Sequence, residues 1–260
     1  MTTSEPPLEG RIVLVSEDGV ATLTLDRPAK LNAIGPEMLT ELERLLAEID
    51  GNADVRVVIV TGCGGRAFSV GADVNAWSAL EPLDMWRRWI RDGHRVLQRL
   101  AQLRQPTIAA INGYAFGGGL ELALATDIRI AADSAMFSLP ETKIGTLPGW
   151  EGTKRLPEAI GVARAKQLIF SGSRIDAAAA ERWGLVNEIV ALEALMDRCR
   201  VLASEIAANA PISVQLAKAI INGDKAAPEA FAGALAAGTE DGREGLASFR
   251  EKRSPRFSGR

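Results

Sequence analysis

The 260-residue chain has one histidine, His94, and two cysteines, Cys63 and Cys199. A Ser-His-Asp triad or a multi-histidine metal site would have to be assembled around that one imidazole, so no metal centre is expected. The cysteines lie far apart in sequence and form no metal or redox motif, which suits a reducing cytoplasm. No apolar run approaches the ~18 residues needed to cross a bilayer, so no membrane partner is expected. Net charge is −3 with both signs interspersed, which leaves no basic face for a nucleic acid. The opening MTTSEPPLEG is acidic and polar, with neither a signal-peptide apolar core nor an Arg-rich transit pattern. The rest is ordinary globular composition, 47% hydrophobic and 24% charged, enough for one large domain or a domain with a helical appendage.

The first two-thirds alternates strand and helix. Residues 11–16 and 20–25 are alternating apolar runs around Asp18-Gly19, a hairpin signal. Pro36 to Asp50 carries helical apolar spacing through Met38, Leu42, Leu45, Leu46 and Ile49. Residues 55–62 form a nearly unbroken β-branched run expected of a strand buried on both faces, 106–113 a second buried strand, with a helix over 83–103 between them. Strands are also expected in DIRIAA (127–132) and AMFSL (135–139). This order favours largely parallel geometry, with ligands at strand C-terminal ends. From about Thr153 onward almost everything reads as helix: 153–159, 161–170, 176–183, 191–209, 211–222 and 228–239.

The chemistry concentrates in GYAFGGGLELALATDI (113–128), where Gly117, Gly118 and Gly119 run into an apolar helix carrying Glu121. Each glycine costs roughly 1 kcal/mol against alanine inside a helix. Bare backbone at a helix start lets a ligand approach unpaired N–H groups. Glu121, three residues after Gly118, falls on the same helix face. The structural alternative is that the glycines only permit tight packing and Glu121 is a paired structural acid. A second glycine-rich bend around Gly71 and Ala72 follows the 55–62 strand, and Glu141 sits on a loop framed by Pro140, Gly145, Pro148 and Gly149. Two carboxylates and two amide-bearing bends form a constellation for acid–base chemistry beside a developing oxyanion.

On the segments RPAKLNAI (27–34), AFSVGADV (67–74), INGYAFGGGLELALATDIRIA (111–131), FSLPETKIGTLPGWEGTKRL (137–156) and EGLASFREKR (244–253), the chain resembles the crotonase superfamily, and within it the enoyl-CoA hydratases. The resemblance implies an α/β crotonase (ClpP-like) fold, a spiral of ββα units with a helical C-terminal trimerisation region. Residues 1–195 would form the core with the active site, and 196–260 a helical region for oligomerisation and CoA contact. It implies hydration of a 2-enoyl-CoA to the 3-hydroxyacyl-CoA, or the reverse. An enoyl-CoA isomerase is the nearest alternative, and a non-catalytic acyl-CoA-binding protein the alternative from another class.

By the same resemblance, Ala72 and Gly118 supply the oxyanion-hole N–H groups, Glu121 is the base and Glu141 the acid. Gly149 helps hold the catalytic water. CoA, part of the substrate with no further cofactor, would lie against Lys30, Leu31, Ala33, Asp73 and Val74. Phe249 and Lys252 of the C-terminal helix would meet it, often from a neighbouring subunit of a homotrimer or hexamer.

Three departures accompany the resemblance. Asn75 replaces a lysine near the CoA phosphates. Trp150 and Glu151 replace small residues, Glu151 being either an added acid at the acyl pocket or a partner of Lys154 or Arg155. Trp77, Trp86 and Trp89 lie in the segment that covers the acyl chain, where Trp86 and Trp89 either narrow the pocket or pack in the core. VRVVIVTGCGGRA also matches a strand followed by G-x-G-x-x-A, a dinucleotide fingerprint, but FSVGADV does not continue as the helix that fingerprint needs.

Overall fold

The computed structural model describes residues 10–223 and 226–260; the polar stretch 1–9 read above lies outside them. Among the described residues ten strands form two sheets. The six-stranded sheet has the order β1 (Arg11–Glu17), β2 (Val20–Asp26), β3 (Val57–Gly62), β5 (Thr107–Ile111), β7 (Ile128–Ala132), β10 (Glu188–Val190). The four-stranded sheet is β4 (Ala67–Ser69), β6 (Tyr114–Phe116), β8 (Met136–Ser138), β9 (Ile175–Asp176). All pairings are parallel except the β1–β2 hairpin and β8–β9. Asp18 and Gly19 turn the hairpin with φ of 49° and 79°, as a tight two-residue loop requires.

Three times the chain leaves the large sheet and enters the small one: β3 to β4, β5 to β6, β7 to β8. Each pair is followed by helix. After β4 come α2 (Val74–Trp77), α3 (Pro82–Asp84), a π-helical turn (Met85–Ile90) and α4 (Arg91–Gln102). After β6 comes α5 (Gly118–Leu124); after β8, a 3-10 turn (Glu141–Ile144) and α6 (Gly152–Ile160). This is the spiral of ββα units that the resemblance implies.

The large sheet is covered on both faces, and the period of two in its strands divides them. Val58, Val60, Ala109 and Ile111 join the cluster that contains Leu42, Leu46 and Ile49 of α1 (Pro36–Gly51) and Val96, Leu97 and Leu100 of α4. Val57, Ile59, Ile108, Ala110, Ile130 and Ala132 pack instead on Leu195, Cys199 and Ala203 of α9 (Leu195–Ala207). Between them in sequence, α7 (Val162–Ser171) and α8 (Ala177–Trp183) complete the wall around the small sheet. The last helices, α10 (Pro211–Ile221), α11 (Ala226–Gly238) and α12 (Glu240–Glu251), form the C-terminal extension. Buried Lys218 of α10 ties it to the spiral, pairing with Asp127 at 2.7 Å and donating to the Gln105 carbonyl at 2.9 Å. Among the described residues no helix is long and apolar enough to cross a membrane.

The structure corrects the sequence reading in particular places. Residues 67–69 form β4, just ahead of the bend around Gly71 and Ala72, and neither β4 nor β6 is among the expected strands. The stretch after Thr153 is interrupted by β9 and β10, and 191–209 divides into a 3-10 turn (Leu192–Ala194) and α9. Two or three residues are too few to show a period, so these strands exist because neighbours offer hydrogen bonds. After Gly62 the chain enters β4, not a helix, so the dinucleotide fingerprint has no structural counterpart.

The head of α5 is pressed onto β4. A side chain on Gly119 would run into the Ser69 carbonyl and lie 2.9 Å from its Cβ. Gly119→Ala is expected to destabilise the fold by about 1–3 kcal/mol or more. Gly51→Ala, where an added methyl meets nothing within 4 Å, should stabilise by about 0.5–1 kcal/mol. Urea unfolding of both variants checks this; equal stabilities would contradict the packing described.

Candidate active site

At the switch between the sheets, backbone segments meet where side chains would not fit. Gly117 opens α5 with φ 52° and ψ −131°, a region essentially reserved for glycine. A Cβ there would also lie 3.0 Å from Glu141 Oε1, so the bare position seats that carboxylate. A Cβ on Gly71 would lie 2.6 Å from Gly118 N, and one on Gly118 would lie 3.3 Å from Ala72 N. The residue-72 and residue-118 amides therefore share one small volume. Among the described residues neither N–H donates to a partner.

The 70–74 segment is held beside the 30–34 segment. Val70 N donates to Leu31 O (3.1 Å), Ile34 N to Gly71 O (2.8 Å) and Asp73 N to Ile34 O (2.9 Å). Leu31 and Asn32 both adopt left-handed φ, 52° and 56°, where asparagine is among the tolerated residues. Asn32 is buried and serves as a hub: its Oδ1 accepts from Arg27 N, and its Nδ2 donates to Cys63 O and Ala67 O. Ser69 Oγ donates to Asn32 O at 2.7 Å and accepts from Gly71 N at 3.1 Å. Arg27 reaches Asp73 at 2.6 Å and donates to Ala33 O at 3.2 Å. Lys30, Leu31, Ala33, Asp73 and Val74 thus come together with Ala72.

Glu121 is 2% exposed, more deeply enclosed than its lone place on an apolar helix suggested. Its Oε1 accepts from the backbone N–H groups of Trp150 (2.8 Å) and Gly152 (2.7 Å). Burial drives its pKa from the ordinary 4.5 to about 7, with Glu141 adding to the rise and the two N–H bonds opposing it. Burial likewise lifts Glu141 to about 7, and its Oε2 is enclosed with no hydrogen-bond partner among the described residues. Two acids poised near neutrality are suited to exchange protons in either direction.

Gly149 adjoins this loop, its open face against Ile90 of the π turn, with a Cβ–Cγ1 spacing of 3.6 Å. Glu151 adopts a left-handed φ of 77°. It pairs closely with Arg155, reaches His94 Nε2 at 3.2 Å and lies 3.9 Å from Lys154. The pairing alternative is therefore the one realised. Trp89 is core and Trp77 packs partly buried against it, while Trp86 is 57% exposed. Asn75 presents its N–H to Asp73 Oδ1 at 3.0 Å.

Phe249 and Lys252 are not brought to the site by their own chain. Phe249 is 83% exposed, and Lys252 caps α12 with φ 53° and, among the described residues, no side-chain hydrogen bond or ion pair. Nearby Arg253 pairs within the chain with Glu244 and Glu251. Sequence reasoning missed Arg27, Asn32, Ser69 and the Gly152 amide. Only Asn32, a polar residue between apolar ones beside a proline turn, left a local signal.

Residues 16–260 match the model of the enoyl-CoA hydratase/isomerase family, and the chain belongs to that family. It is 39% identical over 251 residues to a short-chain-enoyl-CoA hydratase of Clostridium acetobutylicum, covering 93% of this chain and 95% of that one. It is also 39% identical over 257 residues to an (E)-benzylidenesuccinyl-CoA hydratase of Thauera aromatica, covering 95% and 99%. A crystal structure of an enoyl-CoA hydratase from Bacillus anthracis superposes with a TM-score of 0.92 at 39% identity, over 96% of this chain and 99% of that one. The fold is the crotonase fold.

The carboxyl pair has a consequence for stability. Both folded-state pKa values lie above the ordinary 4.5. Between about 4.5 and 7 the folded protein holds protons that the unfolded chain has released, so stability falls as pH rises through that window and levels off above it. Thermal unfolding across this range should show the slope. The double variant Glu121→Gln with Glu141→Gln should flatten it, and an unchanged slope would assign the protons elsewhere.

Proposed function

We propose that the protein is an enoyl-CoA hydratase that adds water syn across the double bond of a 2-enoyl-CoA, or removes it in reverse. The observation that carries this is the pair of buried, raised carboxyls, Glu121 and Glu141, beside two uncommitted N–H groups at Ala72 and Gly118. As water attacks C3, charge moves to the thioester oxygen. Ala72 N–H and Gly118 N–H stabilise that enolate, a contribution of roughly 10²–10³ in rate per donor. One carboxylate takes the proton from water while the other carboxylic acid gives its proton to C2.

The environments support a division of labour. Glu121 accepts two N–H bonds, which favour its ionised form and fit a base; Glu141, enclosed and without a partner on Oε2, fits the protonated acid. Gly149 N–H, uncommitted among the described residues, is available to the attacking water. CoA would lie along 30–33 and 72–74. The relatives named hydratases, with high coverage, support the same reaction. No further cofactor enters the scheme, and the two free thiols fit a cytoplasmic setting.

Hydration of crotonyl-CoA, followed as loss of the conjugated thioester absorbance, tests the reading. Glu121→Ala and Glu141→Ala should each lower the rate by at least ~10². The pH profile of kcat/KM should be bell-shaped around neutrality, because one carboxyl must be ionised and the other protonated. Saturable CoA-ester binding with no hydration of crotonyl-CoA or a longer enoyl-CoA would sink the proposal. Migration of the double bond would then point to the isomerase, and inert binding to an acyl-CoA-binding protein.

We also propose a homotrimer, or a hexamer built as a dimer of trimers. Its support is the row of exposed apolar side chains on the last two helices: Phe231, Leu235, Leu246 and Phe249. A neighbour would cover these and bring Phe249 and Lys252 to the CoA of the next subunit. Light scattering should return three or six times 27.7 kDa. Lys252→Ala should raise KM for CoA esters more than it lowers kcat. A monomer with full activity would overturn this arrangement.

A further inference from the structure

Trp150 does more than present its N–H to Glu121. Its indole, 2% exposed, lies directly over the oxyanion-hole glycine: a methyl on Gly118 would sit 2.6 and 2.7 Å from ring carbons Cζ3 and Cε3. The same methyl would be 3.3 Å from Ala72 N, so the ring stands on the side of Gly118 that faces the second donor. The far side of the ring is fixed. Gly93, in the first turn of α4 where it continues the π turn, makes room for the indole, because a side chain there would run into Nε1, Cε2 and Cδ1. Trp89 closes the next side, with ring centroids 5.6 Å apart at 50°. A glycine in a helix interior is disfavoured, and here its lack of a side chain is what admits the indole.

From this geometry we infer that Trp150, seated in the notch at Gly93, is the end wall of the acyl site and restricts the enzyme to short, compact acyl groups. The inference rests on the proposed acyl-CoA reading and deepens it. With the thioester oxygen between Ala72 N–H and Gly118 N–H, the carbons beyond C3 meet a ring clamped on two further sides. A long straight chain must displace a packed indole. A four-carbon acyl group need not.

The test compares crotonyl-CoA with trans-decenoyl-CoA on the native enzyme, Trp150→Ala and Trp150→Phe. The native protein should favour the short substrate by at least ~10² in kcat/KM, and Trp150→Ala should narrow that ratio by at least ~10-fold, with Trp150→Phe between them. Saturated butyryl-CoA and decanoyl-CoA, which cannot be hydrated, give a second readout by calorimetry. Butyryl-CoA should bind the native protein more tightly, and Trp150→Ala should reverse the order. Gly93→Ala should weaken butyryl-CoA binding about tenfold in the native background and leave it unaltered beside Trp150→Ala, because the clash it creates is with the indole. A length preference that Trp150→Ala does not change, in turnover or in binding, would overturn the wall. If no enoyl-CoA turns over yet the binding order reverses as stated, the hydratase reading fails and the wall stands.

Discussion

The site depends on a close approach of backbone to backbone at the head of α5. Gly71, Gly117, Gly118 and Gly119 leave room for β4, the 70–72 bend and the start of the helix to meet without intervening side chains. Two N–H groups from separate parts of the chain thereby reach one volume. Rigid donors that need no reorganisation are what stabilises a developing negative charge. The ββα spiral supplies this junction because each turn carries the chain from one sheet to the other, and the site sits at that crossing.

Around the junction the electrostatics follow from burial. Among the described residues neither Glu121 nor Glu141 has a cation hydrogen-bonded to it; the nearby Arg155 is committed to Glu151 and Gln98. Desolvation outweighs the backbone N–H bonds and the more distant Arg155 charge that oppose it at Glu121, and it lifts both carboxyls toward neutrality. The ion pairs of the neighbourhood lie one layer out. Glu151, Arg155 and His94 join the 149–155 segment to α4, and Arg27 with Asp73 joins the 27–34 segment to the bend. These hold backbone in place without neutralising the acids.

Much of this was legible in the chain. The long strands β3 and β5 announce themselves because both faces are buried, and α1 because its apolar residues fall on one side. The glycine run followed by Glu121, and Glu141 on a framed loop, marked the acid–base chemistry and carried the family resemblance. Other parts left no trace. β4, β6, β9 and β10 are too short for a period. Asn32 and Ser69 act through carbonyl and amide groups that sequence does not place. Phe249 and Lys252 stand exposed at the end of the last helix, and sequence does not say what would cover them.

The sequence by itself determined the elements with a strong period, the run of bare glycines ahead of an apolar helix, and the residue types able to move protons. Those properties reside in a few neighbouring residues and survive without the rest of the molecule. Tertiary structure decided which of the two readings of Glu151 holds, that Glu121 is fully enclosed, and that Trp150 rather than open space lies over Gly118. Each of these turns on the distance between segments far apart in the chain, and burial, pKa and steric exclusion are set by such distances.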